Sequence, residues 1–191
     1  MARALAGLIT LLASLWAPLG QTATPVIPPP PEAAASSYLL MDADTGRLLV
    51  EHAVDERLPP ASLTKIMTSY VAAVELEAGR IAPDDQVPVS VDAWRTPGSR
   101  MFIREGTRVP LEALLRGVII QSGNDASVAL AEHIAGSEEA FADMMNQQAR
   151  ALNMNDTQFK NATGLPAEGH YTTARDLARL TRAMIERFPE H

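Results

Sequence analysis

The sequence predicts an α+β domain, on three observations. Two short extended stretches joined by a glycine-containing turn open the folded part, a run of helical periods follows them, and 191 residues is the length of one domain with a sizeable core. Tyr38-Leu-Leu-Met41, Asp42-Ala-Asp-Thr-Gly46 and Arg47-Leu-Leu-Val50 read as strand, turn and strand. From Leu63 the apolar positions Ile66, Met67, Tyr70, Val71 and Val74 follow a helical period that Gly79 ends. Val87 to Ala93 reads as a short extended piece and Trp94 to Gly106 as a polar loop. Leu111 to Ile120 is helical and apolar on most sides, which predicts burial. After a turn at Gln121 to Asn124, a helix is expected over Asp125 to Ile134. Ser137 reads as an N-cap with Glu138 and Glu139 in the first turn, where carboxylates favour the helix dipole. Thr173-Ala-Arg-Asp176 opens a last helix carrying Leu177, Leu180, Ala183 and Met184, and there is no internal repeat.

Upstream of this domain two segments stand apart. Met1-Ala-Arg3, a short apolar run ending at Trp16 and the small residues near Ala23 match a secretory signal peptide over residues 1–23. Pro18 interrupts the run, which is short for a bilayer span. Residues 24–35 hold Pro25, Pro28, Pro29, Pro30 and Pro31, the composition of an extended linker, so the domain is expected over 36–191. The net charge is −7, and cleavage after Ala23 removes only Arg3 and makes it −8. Such an acidic chain argues against nucleic acid or anionic lipid as partner, and membrane association is not inferable from it. With no cysteine there is neither disulfide nor thiolate chemistry. His52, His133, His170 and His191 show no ligand spacing, so no metal and no cofactor is expected.

The chemistry lies in two short pieces, Ser62-Leu-Thr-Lys65 and Ser122-Gly-Asn124. Spacing of i, i+3 on a helix puts the Ser62 hydroxyl and the Lys65 amine on one face. A hydroxyl becomes nucleophilic only when a base takes its proton, and a lysine serves as base only when burial lowers its pKa. The second piece adds another hydroxyl and an amide that both donates and accepts. Each piece alone reads as readily as a helix cap or a solvated lysine; together they point to serine acyl transfer.

The stretches Pro60-Ala-Ser62-Leu-Thr-Lys65-Ile-Met, Gln121-Ser122-Gly-Asn124-Asp125-Ala and Gly164-Leu-Pro-Ala-Glu-Gly-His-Tyr-Thr-Thr-Ala-Arg-Asp176-Leu, in that order, resemble the low-molecular-mass penicillin-binding proteins, and among them the serine-type D-alanyl-D-alanine carboxypeptidases. The resemblance implies a penicillin-binding/β-lactamase-like transpeptidase fold. It also implies Ser62 as nucleophile, Lys65 as its general base, Ser122 as proton relay, Asn124 as a holder of the substrate amide and Gly123 as the residue permitting the tight turn. The substrate implied is a peptidoglycan stem peptide ending in D-Ala-D-Ala, with β-lactams as inhibitors and the bacterial periplasm or cell envelope as location. Relatives carry a third element, Lys-Thr-Gly, which these 191 residues lack. The expectation is therefore an incomplete fold: the N-terminal hairpin and the helical region, without C-terminal strands and with little activity. The competing readings are a β-lactamase, a peptidoglycan endopeptidase of the same fold, and a non-catalytic cell-wall binding remnant.

Overall fold

The computed structural model describes residues 33–189. The signal-peptide segment and nearly all of the proline-rich linker lie outside the described residues. The domain opens with an antiparallel hairpin, β1 (Tyr38–Met41) and β2 (Leu48–His52), in which Tyr38 faces His52 and Leu40 faces Val50. Its turn is held by Asp42, whose Oδ1 accepts from the Thr45 amide at 2.8 Å and the Thr45 hydroxyl at 2.6 Å.

A 3-10 turn at Ala61–Leu63 leads into α1 (Thr64–Glu77), the central helix. It is buried almost all round because two apolar clusters pack on it. On one side Met67, Tyr70, Val71 and Val74 meet Phe141, Met145, Phe159 and Leu180; on the other, Ala72 joins Val87, Leu111, Leu114, Val118 and Leu130. Lys65 and Thr64, at its start, are therefore drawn into the protein with the helix.

A second ribbon follows, β3 (Gln86–Pro88) paired antiparallel with β4 (Arg108–Pro110), Val87 facing Val109. The sequence expected one hairpin only. It also expected extended backbone up to Ala93, whereas α2 (Val91–Arg95) is a helix, capped by the Ser90 hydroxyl accepting from the Ala93 amide. The cap competes successfully with the weak strand signal of a five-residue stretch.

Helices α3 (Leu111–Gln121) and α4 (Asn124–Ala135) run into each other through Ser122 and Gly123. The first was expected to be buried on most sides. It is so only through Leu111, Leu114, Gly117 and Val118, while Ile120 is 77 % exposed and Ile119 61 %. Helices α5 (Glu138–Ala151) and α6 (Ala174–Arg187) start at the expected caps: Ser137 Oγ accepts from the Ala140 amide and Thr173 Oγ1 from that of Asp176. Between them the chain from 156 to 173 returns toward the start of α1 through two antiparallel bridges, Leu58 with Thr172 and Gln158 with Tyr171. No helix among the described residues is long and apolar enough to cross a membrane.

Candidate active site

Ser62 lies in the 3-10 turn, two residues before α1 rather than within it, so it is not the cap of that helix; Leu63 holds the cap position without a side-chain bond. Ala61 adopts φ +46, a left-handed conformation costly for a residue with a Cβ. The strained turn leaves Ser62 exposed while the next turn buries Lys65 to 5 %. The Lys65 amine donates to Asn124 Oδ1 at 2.8 Å and to the Thr163 carbonyl at 2.6 Å, and stands 3.5 Å from Ser62 Oγ. Burial pushes its pKa below the ordinary lysine value. None of its hydrogen-bonded partners is a carboxylate that would restore the ammonium.

The second motif arrives from the far side of the same cleft. Ser62, Lys65 and Ser122 line one depression of about 300 Å³, together with Leu63, Val118 and Met184. Ser122 sits at φ +53, and its Oγ is buried with no hydrogen-bond partner among the described residues. The lining around it is mainly apolar, so nothing among the described residues satisfies this hydroxyl.

One expectation for this turn is corrected. The left-handed residue is Ser122, not Gly123, whose φ of −64 any residue adopts. Gly123 is favoured by close approach instead: a Cβ there would stand 3.1 Å from Asp125 Oδ1, 3.2 Å from the Met101 amide nitrogen and 3.3 Å from the Gly117 carbonyl, tight contacts that its neighbours would have to relax. Asn124 is 5 % exposed and engaged at both ends of its amide, accepting from Lys65 and donating to the Pro97 carbonyl at 2.7 Å. Its first service is to hold the amine.

The loop over this turn is anchored by Asp125, fully buried, whose oxygens accept from the amides of Met101 (2.8 Å), Ile103 (3.2 Å) and Ala126 (2.9 Å). The Asn124 amide completes the anchor by donating to the Ser99 carbonyl at 2.7 Å.

Sequence reasoning missed the third wall, the turn Asn161–Gly164. Asn161 Oδ1 accepts from the amides of Thr163 (3.2 Å) and Gly164 (2.7 Å), which aims the Thr163 carbonyl at Lys65. Gly164, at φ +85, lies against the Ala61 carbonyl. The signal that could have revealed it was Asn161-Ala-Thr-Gly164, an Asx turn closed by glycine. Asp176, in the same stretch, proves structural: its Oδ2 accepts from the Asp156 amide and the Thr157 hydroxyl, and Arg179 pairs with Oδ1.

Comparison with known proteins places the chain in a family. The profile of the D-alanyl-D-alanine carboxypeptidase family, peptidase family S11, matches residues 23–191. The chain belongs to that family. It is 48 % identical over 160 residues to the D-alanyl-D-alanine carboxypeptidase DacC of Escherichia coli, an alignment covering 81 % of this chain and 40 % of that protein. Among solved structures, the carboxypeptidase DacD of Francisella tularensis superposes with a TM-score of 0.86 at 45 % identity, covering 90 % of this chain and 42 % of the other. Penicillin-binding protein D2 of Listeria monocytogenes, solved with ampicillin bound, gives a TM-score of 0.76 at 26 % identity over 85 % of this chain and 66 % of its own. The chain thus spans about two fifths of the length of the curated carboxypeptidase it matches. The expected penicillin-binding fold class is borne out for the part described.

Proposed function

We propose that the protein is a serine-type D-alanyl-D-alanine carboxypeptidase, which removes the terminal D-alanine of peptidoglycan stem peptides through an acyl-enzyme on Ser62. The observation that carries the reading is the bonding of the Lys65 amine. A neutral amine has two N–H groups and one lone pair; the two donors have acceptors in Asn124 Oδ1 and the Thr163 carbonyl, and the third direction holds the Ser62 hydroxyl. The lone pair therefore faces the proton it has to take. The 3.5 Å separation is long for a hydrogen bond at rest and shortens as Ser62 swings toward a bound carbonyl.

As Ser62 Oγ adds to the carbonyl of the penultimate D-alanine, its proton passes to Lys65. The Ser62 amide has no acceptor among the described residues and donates to the developing oxyanion. Ser122 Oγ, without a partner of its own, relays a proton to the departing D-alanine amine as the C–N bond breaks. Water then hydrolyses the ester. The second amide hydrogen of Asn124, beyond the one given to Pro97, is free for the substrate backbone. β-Lactams acylate the same hydroxyl and stay. The N-terminal apolar run and the peptidoglycan substrate support export to the periplasm or cell envelope.

The test is release of D-alanine from a synthetic stem pentapeptide by the full-length protein and its Ser62→Ala variant. Release by the wild type alone supports the assignment. Equal release by both, or cleavage confined to cross-linked dimers, removes it.

A further inference from the structure

His170 is 7 % exposed and its ring reaches both walls of the site. Its Nδ1 accepts from the Lys160 amide at 3.1 Å, and its Nε2 lies 2.9 Å from Thr64 Oγ1. An amide nitrogen can only donate, so Nδ1 must be unprotonated, the ring proton sits on Nε2, and Thr64 Oγ1 is the acceptor. Phe159 packs edge-on against the ring, with centroids 5.9 Å apart, and fixes its plane. Thr64 links the nucleophile to its base along the chain, and its Oγ1 is 3.0 Å from where a Cβ on Gly164 would stand. The ring thus pins the start of α1 to the loop whose Thr163 carbonyl holds Lys65.

We propose that His170 is a positioning residue for acylation, acting through the Thr64 hydroxyl, and that it serves only as the neutral, Nε2-protonated ring. Protonating Nδ1 would set an N–H against the Lys160 N–H and break the loop side of the clamp. The titratable residues on the elements that bear on the ring are Lys65 on α1, Lys160, Glu168 and Tyr171 on its own loop, and Glu138, which reaches the loop from α5 by accepting from the Ala162 amide; none has a side-chain hydrogen bond to the ring among the described residues. No carboxylate hydrogen-bonds to the ring to stabilise an imidazolium, and burial holds its pKa below the ordinary histidine value. The sign follows: the clamp is intact above about pH 6.5, the unfolded value, and is lost as pH falls through the lower folded value.

This inference rests on the acyl-transfer reading, so its test separates the two. Acylation by a fluorescent penicillin is followed across pH in full-length wild-type protein and in His170→Gln, His170→Phe and Thr64→Val. Glutamine offers one acceptor and one donor and does not titrate in this range. The expected result is His170→Gln within about threefold of wild type at pH 7, with the His170 step gone from its acid limb and the Lys65 step kept. His170→Phe and Thr64→Val should acylate roughly 10- to 100-fold more slowly, the effect of about 1 Å of misplacement. Wild-type rates in His170→Phe and Thr64→Val, or an unchanged acid limb in His170→Gln, overturn the proposal. Should the wild type not be labelled at all, the acyl-transfer reading fails. The imidazole nitrogen NMR spectrum then decides for the clamp: a ring protonated on Nε2 and still neutral below pH 6.5 supports it, and an Nδ1-protonated or ordinarily titrating ring overturns it.

Discussion

Replacing Gly164 by alanine adds one methyl group where the turn that carries Ser62 and the third wall touch. At φ +85 the new Cβ would overlap the carbonyl carbon and oxygen of Ala61 and stand 3.0 Å from Thr64 Oγ1. Two of these three atoms are backbone, so no rotamer change relieves the clash, and the two turns must separate by roughly 1.6 Å to reach van der Waals distance. The left-handed backbone costs about 1–2 kcal/mol for a residue with a Cβ. Separation stretches the 2.6 Å bond from the neutral Lys65 amine to the Thr163 carbonyl, worth about 0.5–1.5 kcal/mol. The sum is about 1.5–3.5 kcal/mol, which for a domain of this size lowers the melting temperature by roughly 3–14 °C. Acylation by penicillin, measured by stopped flow below the melting range, should fall roughly 100-fold because the base leaves its position. A variant that melts within 2 °C of wild type and acylates within threefold of it would refute the reasoning.

Ser122→Ala removes a hydroxyl that bonds to nothing in the fold, so melting should change by no more than about 1 kcal/mol while acylation slows by roughly two orders of magnitude. Asp125→Asn places an amide against backbone N–H groups that need an acceptor; thermal unfolding should show a loss of about 2–4 kcal/mol, with faster proteolysis of the loop around Met101. For Lys65 the lowered pKa means that the free base increases with pH through a value below the ordinary 10.4 or so; the acylation rate should climb with pH on the alkaline side and level off before that value. A plateau reached only above it contradicts a buried base.

The pairing of Ser62 with Lys65 was legible because chain spacing alone sets it, and Ser122 and Asn124 were legible through the order of the motifs. The helix starts at Ser137 and Thr173 were readable because a cap is a local hydrogen bond between residues three apart. The Thr163 carbonyl was hidden for the opposite reason: a backbone oxygen has no residue signature, and its partner is 98 positions away. The left-handed conformations at Ala61 and Ser122 were missed because tertiary contacts impose them on residues that do not favour them, while the obvious glycine beside Ser122 is ordinary in φ. Hydrophobic periodicity overstated the burial of α3, since an apolar helix face reports what it is able to bury and not whether a neighbour covers Ile119 and Ile120.

Mapping the covalent adduct of a labelled penicillin by peptide mass spectrometry interrogates the site most directly. Full-length protein should carry one label, on the Ser62 peptide, and Lys65→Met should carry none on the same timescale while Ser69→Ala labels normally. A label on Ser69 or Ser122, or undiminished labelling without the Lys65 amine, would contradict a hydroxyl activated by that buried base.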